Sequence, residues 1–460
     1  MVFLDTGDRQ KTESNNSSSW KSIQKVGLLG PFGGGNLGDA AIQKSMITNL
    51  RALNSNIEIY GFSIKPNDTK SRHGIISYPI NKAANGKDYG WWKGNSENSW
   101  SAKLTNFLTR SNQNSSKSFW QKIVLKLTNK SVANVLEVLA WFRSYQNFKQ
   151  LDLDLLIVSG GGQLDDYWGG AWGHPFTLLR WCSIAKLTDT PFLIVSVGAG
   201  PIDRPLSKLF TRITLALAEY RSYRDKNSKK YIEEVVGFER DDFVYADLAF
   251  SLPTQSYRPS PKNSQYRGII GIGAMSYFNP KSSWPEKDEK IYTEYLHKLS
   301  EFARWLAEQN YALALFPGQT VHDKSAIEDF KDLLIDKGIP PEQIIERSIS
   351  TVDELMSQLI DLDLVVASRF HGVLLSLLVN KPVLALSYHP KIDMLMKDVG
   401  LSEYCLEIDD FETSVMKDKF NSINNDYQKI KEKLAIKTQE YQSSLANQYD
   451  YIFKNFRASK

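Results

Sequence analysis

Cysteine is nearly absent from this 460-residue chain. Cys182 and Cys405 stand far apart, in no CxxC or CxxxH spacing, which leaves no basis for a disulfide framework or a cysteine-ligated zinc site. Charge of one sign is equally scarce: 56 Lys and Arg face 52 Asp and Glu, a formal +4 that is too slight over this length to mark a nucleic-acid binder. Long apolar runs are missing as well. No stretch approaches the roughly 18 to 20 apolar residues of a membrane-spanning helix, and the opening MVFLDTGDRQKTESNNSSSW lacks the basic start and apolar run of a secretion signal. A polar leader over residues 1–24 and a reducing, cytoplasmic home are the expectations. What the chain does have is 42% hydrophobic and 23% charged residues, the composition of a soluble globular protein. At roughly 100–200 residues per domain the length predicts two or three domains with a cleft between them.

Short apolar runs alternate with amphipathic ones. Lys25–Gly30 reads as a buried strand, PFGGGNLGD as a glycine-rich turn, and Ile42, Met46, Ile47 and Leu50 as the apolar face of a helix beginning near Asp39. Ile57–Phe62 reads as the next strand. The rhythm returns with strand Leu155–Ser159, a helix around Pro175–Leu187 and strand Pro191–Val197. It breaks at the Pro- and Ser-rich SLPTQSYRPSPKN, where a boundary is expected, and restarts at Gly268–Ile272. Continuous apolar strands separated by helices call for parallel sheets covered on both faces. The expected architecture is therefore α/β, two doubly wound Rossmann-like domains facing across a cleft, over residues 25–255 and 265–410. A helical tail, 411–460, is expected to pack back across both. Residues 64–150 fall outside the rhythm and read as an insertion. Residues 91–150 carry nine Lys or Arg against two Glu; basic residues beside aromatic ones suit either peripheral contact with an anionic bilayer or a solvated face over ordinary packing.

Four segments carry candidate chemistry. PFGGGNLGD sits between strand and helix, where backbone N–H groups and the helix dipole favour an anion. It is neither a Walker A loop nor a dinucleotide fingerprint in register. Asn36 and Asp39 suit hydrogen bonding to a polyhydroxylated ligand, or Asp39 caps the helix. Gly160-Gly161-Gly162-Gln163-Leu164-Asp165-Asp166 follows another strand, placing Gln163 and Asp165 where open α/β sheets bind ligands. Arg224, in SYRDKNS, presents a planar fork to carboxylate or phosphate, or forms a surface pair with Asp225. The strongest local signal is Val365-Val366-Ala367-Ser368-Arg369-Phe370-His371, an apolar strand delivering Ser, Arg and His to a helix start. There Ser368 can cap, Arg369 can hold an anion, and His371 can carry a proton near neutral pH. Ser387-Tyr388-His389-Pro390-Lys391 brings a second cation, Lys391, to the same edge.

In order, GGGNLGD, GGGQLDD, SYRDKNS and ASRFHGVLLSLLVNKPVLALSYHPK resemble the polysaccharide pyruvyl transferase family over roughly residues 25–405. The resemblance implies two domains like those of glycosyltransferase type B enzymes. It also implies transfer of pyruvyl from phosphoenolpyruvate to a sugar as a cyclic ketal, with phosphoenolpyruvate as donor substrate and no cofactor or metal. His371, Arg369 and Lys391 would then be catalytic. Arg224, Arg369, Lys391 and Ser368 would bind the donor; Asn36, Asp39, Gln163 and Asp165 would bind a saccharide or lipid-linked glycan acceptor. Phe370 stands where the family often has Leu. Two other readings stay open: a nucleotide-sugar glycosyltransferase, and a non-catalytic sugar-binding protein on the same fold.

Overall fold

A computed structural model describes residues 23–80, 141, 144–167, 169–261, 265–282 and 286–456. Residues 1–22 of the leader, and most of the basic stretch expected to meet a membrane, lie outside the described residues. Among the described residues, no helix is long and apolar enough to cross a membrane.

The first half runs β1 (Lys25–Leu29), α1 (Leu37–Leu53), β2 (Glu58–Ser63), α2 (Pro66–His73), β3 (Ile76–Pro79), β4 (Leu155–Ser159), β5 (Gly162–Leu164), α3 (His174–Leu187), β6 (Phe192–Ala199), α4 (Pro205–Leu217), β7 (Tyr220–Tyr223), α5 (Lys226–Tyr231) and β8 (Phe243–Val244). Its strands form one parallel sheet in the order β3-β2-β1-β4-β6-β7-β8, with β5 added beside β6. The second half runs β9 (Gly268–Gly273), α6 (Glu289–Glu308), β10 (Tyr311–Leu315), α7 (Lys324–Asp336), β11 (Ile344–Glu346), α8 (Val352–Asp361), β12 (Leu364–Ala367), α9 (Phe370–Leu378), β13 (Val383–Ser387), α10 (Pro390–Asp398) and β14 (Cys405–Glu407). It too is parallel throughout, in the order β11-β10-β9-β12-β13-β14. These are the two Rossmann-like sheets the alternating pattern calls for. β4 and β12 are buried along their whole length, as central strands covered on both faces must be.

The insertion expected from residue 64 begins later. Residues 66–79 continue the α/β rhythm as α2 and β3, with Tyr78 packed on Tyr60 and Phe62. The signal was weak because α2 buries only Pro66 and Thr69, and β3 is a half-exposed edge strand.

In each sheet the strand order reverses once, between β1 and β4 and between β9 and β12, and the loops leaving those strands open a crevice at the carboxyl edge. The two edges face each other. The loop after β1 is bonded to the loop after β10: Thr320 N donates to Gly35 O at 2.9 Å, Leu37 N to Gly318 O at 3.3 Å, and Asn36 pairs with Gln319. One apolar core runs from the α1 face of the first sheet through the 3-10 turn Leu248–Ser251 into the second half, and a second core lies under α3 and α4. After α11 (Thr413–Asn425), α12 (Tyr427–Asn455) crosses both halves. Its Thr438 hydroxyl donates to Leu377 O in the second half, while Gln448 exchanges hydrogen bonds with Ser196 and Tyr449 pairs with Ser251 in the first.

Candidate functional site

At the β1 exit the chain makes three consecutive left-handed glycines, Gly33, Gly34 and Gly35, with φ of 90°, 100° and 88°, a path closed to other residues without strain. Asn36 then caps α1: its Oδ1 accepts from Gly38 N at 3.0 Å and Asp39 N at 3.4 Å. The cap is thus Asn36 and not Asp39, which frees the Asp39 carboxylate to face the crevice, 3.9 Å from where a side chain on Gly161 would begin.

His371 enters from the opposite domain, in the first turn of α9. A Cβ on Gly38 would fall 2.0 Å from His371 Nδ1, so the imidazole lies directly against the α1 backbone. Gly198 performs the same service for Arg224, whose guanidinium would be 2.5 Å from a Cβ there. Arg224 stacks over Phe370 at 4.9 Å, and Lys391 lies 5.9 Å above the same ring and 5.5 Å above Tyr388. Between them stands an acidic residue that no sequence motif marked. Asp247 Oδ2 is 3.6 Å from Arg224 Nη1 and 3.9 Å from His371 Nε2, and the residue is almost completely buried. Its only local sign was an Asp ahead of Leu248-Ala249-Phe250, which reads as a turn cap, and its Oδ1 does accept from Ala249 N at 3.0 Å.

This crowding perturbs four of the groups at the crevice, Asp39, His371, Asp165 and Tyr388. Burial, then the Asp247 charge, push the Asp39 carboxyl up to about 7, with Lys391 and Arg224 opposing. Burial lowers the His371 imidazole to about 4, aided by Arg224 and Lys391 and resisted by Asp247. Asp165 is raised to about 6 by burial and, more weakly, by Asp166. Burial raises the Tyr388 hydroxyl, but Lys391 and Arg369 outweigh it and bring the group below its ordinary value. Groups poised this far from their ordinary values in one crevice are the usual mark of acid–base chemistry.

Two expected site residues face elsewhere, and a third is already engaged by a buried acid. Ser368 neither caps α9 nor reaches the crevice: it is 1% exposed, and its hydroxyl sits 3.3 Å from that of Tyr295. Its strand position turns it into the core, one residue before the chain rotates outward. Gln163 is also 1% exposed, its amide donating to the carbonyls of Gly160 at 2.9 Å and Ser159 at 3.3 Å, so it braces the glycine turn from below. Arg369 reaches the crevice wall with its fork engaged by fully buried Asp323, Nη2 to Oδ1 at 2.5 Å and Nε to Oδ2 at 3.1 Å. Asp323 also accepts from Gln319 N and Ser276 N, so the pair ties the loops after β9, β10 and β12 together. Of the paired aspartates, Asp166 accepts from Arg204 N and braces the entry to α4, while Asp165 stays at the crevice. His389 caps α10 through Nδ1, accepting from Lys391 N at 3.3 Å. Asp39, Asp165, Arg224, Asp247, His371 and Lys391 are therefore the groups brought together. Among the described residues no cluster of three or more His, Cys, Asp or Glu has the arrangement of a metal site.

Comparison with known proteins agrees with this architecture. At the fold level the chain is similar to UDP-GlcNAc 2-epimerase from Neisseria meningitidis bound to UDP-GlcNAc (TM-score 0.54, 11% identity, 94% of this chain and 100% of that one). It is similar to S. aureus MnaA in its structure with UDP (TM-score 0.54, 11% identity, 95% and 99% covered). A glycosyltransferase from Rickettsia africae gives a TM-score of 0.53 at 11% identity, with 94% and 98% covered. At such identities the likeness concerns the fold alone, two Rossmann-like domains of the glycosyltransferase type B kind. No curated protein matches by sequence. The family model of polysaccharide pyruvyl transferase matches residues 36–390, from the cap of α1 to the first residue of α10, and so spans both domains and every residue of the crevice cluster except Lys391, which follows directly. The chain belongs to the polysaccharide pyruvyl transferase family and is a transferase.

Proposed function

We propose that this transferase moves the pyruvyl group of phosphoenolpyruvate onto two hydroxyls of one saccharide, forming a cyclic ketal and releasing phosphate. The observation that carries the reading is the convergence of Arg224 and Asp39 of the first domain with His371 and Lys391 of the second across the crevice. The donor is a small polyanion. Two cations mounted on the Phe370 ring match it, in a partly buried setting where charge pairing is stronger than in water. Arg369, already paired with Asp323, holds together the loops after β9, β10 and β12, the last of which leads into His371.

The chemistry assigns a role to each remaining group. His371, protonated once the donor's charge offsets Arg224 and Lys391, gives its proton to the methylene carbon and leaves C2 electrophilic. A sugar hydroxyl adds to C2, and its proton passes to Asp39, whose raised carboxyl is suited to accept and return it. The C2–O bond to phosphate then breaks, and a second hydroxyl closes the ketal, its proton leaving with phosphate. Asp165, near Lys391, is placed to hold the acceptor. Closure of the two carboxyl edges keeps water from competing for the electrophile.

The test is phosphate release from phosphoenolpyruvate with a panel of glycosides, joined to mass spectrometry of the sugar products. The expected product is heavier by one pyruvate less one water, formed one-for-one with phosphate and lost in His371→Ala. The rival reading as a nucleotide-sugar glycosyltransferase rests on the structural relatives that hold UDP or UDP-GlcNAc. Calorimetric binding of a UDP-sugar, with none of phosphoenolpyruvate, would replace the present reading with that one.

A further inference from the structure

Three polar atoms at the domain junction are buried without a hydrogen-bond partner: His371 Nε2, Asp247 Oδ2 and Arg224 Nε. They belong to one cluster, with Asp247 Oδ2 between the His371 imidazole at 3.9 Å and the Arg224 guanidinium at 3.6 Å. Leaving such groups without a hydrogen bond is costly in an apolar setting; Arg224 Nε is met instead by an ion pair with Asp225 Oδ2 at 3.4 Å. The Asp247 carboxylate is split between two tasks. Oδ1 caps the turn at Leu248–Ser251, and a cap alone would leave no reason for Oδ2 to face a guanidinium and an imidazole. On the other side of the ring, Nδ1 is closed off by the α1 backbone at Gly38. Nε2, which faces Asp247 Oδ2, is therefore the imidazole nitrogen whose proton a neighbouring side chain can set.

We propose that Asp247 is a positioning residue of the transferase: its Oδ2, which faces Nε2 of His371, favours the proton on that nitrogen and seats Arg224 beside it. This rests on the pyruvyl-transfer reading for its consequence in turnover, but the tautomer it assigns does not. The charged groups around the ring are Asp247 on the 3-10 turn, Arg224 at the end of β7, Lys391 at the start of α10 and Asp39 on α1. Donor binding offsets Arg224 and Lys391, which leaves Asp247 as the charge that favours imidazolium. The proton then goes from Nε2 to the donor methylene carbon. The proton of the adding hydroxyl, held by Asp39, restores the count when the site reloads.

Asp247→Asn separates the two tasks, since an asparagine oxygen still caps Ala249 N while its amide nitrogen cannot accept from His371. In the full-length protein, ring-nitrogen chemical shifts of His371, assigned by difference against His371→Gln, report the tautomer directly. The wild type is expected to carry the proton on Nε2, and Asp247→Asn to shift it towards Nδ1. In turnover with phosphoenolpyruvate, Asp247→Asn is expected to lower kcat about 10²-fold with donor KM changed less than about threefold. The basic limb of the kcat profile should move to lower pH, because removing the negative charge makes the imidazolium easier to deprotonate; Asp247→Glu should restore part of that limb. An unchanged tautomer together with an unchanged pH profile would overturn the assignment and leave Asp247 a turn cap. An absence of pyruvyl transfer in the wild type would sink the functional reading, while the tautomer shift would still decide the role of Asp247.

Discussion

Gly38→Ala is a sharp test of the crevice geometry, because two opposing effects can be sized. Within α1, alanine is the better helix former by about 1 kcal/mol, so an isolated helix would gain. In the folded protein the new methyl would sit 2.0 Å from His371 Nδ1, 2.2 Å from its Cγ and 2.6 Å from its Cβ. Comfortable non-bonded contact requires about 3.5–4.0 Å, so the ring or the helix must shift by roughly 1.5 Å. The atoms struck are the ring and its root, not the end of a flexible chain, and overpacking of that kind costs about 1–3 kcal/mol. Net stability is therefore expected to fall by roughly 0–2 kcal/mol, a modest change in Tm. Activity should suffer far more, since a misplacement of about 1 Å in a reacting group costs around 10²-fold, or about 2.7 kcal/mol of barrier. Steady-state phosphate release, paired with thermal melts, reads both quantities. A double-mutant cycle isolates the cause: in a His371→Ala background the stability cost of Gly38→Ala should vanish and the helix gain should emerge. Full activity in Gly38→Ala, or an undiminished stability cost without the imidazole, would refute the close approach of α1 to His371.

Two further outcomes follow from the same geometry. Ser368→Ala should cost about 1 kcal/mol of stability through the lost contact with Tyr295, and should leave donor KM within twofold of wild type; a large rise in KM would return Ser368 to the donor site. Asp39 has a folded value of about 7, above its ordinary 3.8, so the folded state binds its proton more tightly and stability falls as pH rises from about 4 to 7. Asp39→Asn should therefore raise Tm at pH 8, with the gain fading as pH drops towards 4. A gain of equal size at both ends of that window would show that burial and Asp247 do not act on this carboxyl as described.

Much of the fold was legible because its signals are local. Runs such as Leu155–Ser159 and Leu364–Ala367 are apolar at every position, which only a strand covered on both faces requires, and the structure buries both completely. Residues 66–79 hid because α2 is charged and β3 lies at an edge, so neither carries a periodic apolar face. Site residues divided on the same principle. Arg224, His371, Lys391, Asp39 and Asp165 stand at strand exits, where loop position alone argues for ligand contact. Ser368 and Gln163 stand at strand exits too, yet one more step of chain rotation turns them into the core. Asp247 had no motif at all; its role arises from neighbours 23 and 124 positions away in sequence, Arg224 and His371.

The sequence by itself determined the elements and their class, through the period of its apolar residues, and brought each cation and acid to the end of a strand. Which of those side chains meet was decided only by tertiary structure. Packing the two carboxyl edges together, with α12 across both halves, sets α1 of one domain against α9 of the other. Burial at that junction then moves Asp39 up and His371 down, because a low-dielectric setting penalises charge in proportion to what surrounds it. That surrounding is a property of the assembled domains, and no stretch of local sequence encodes it.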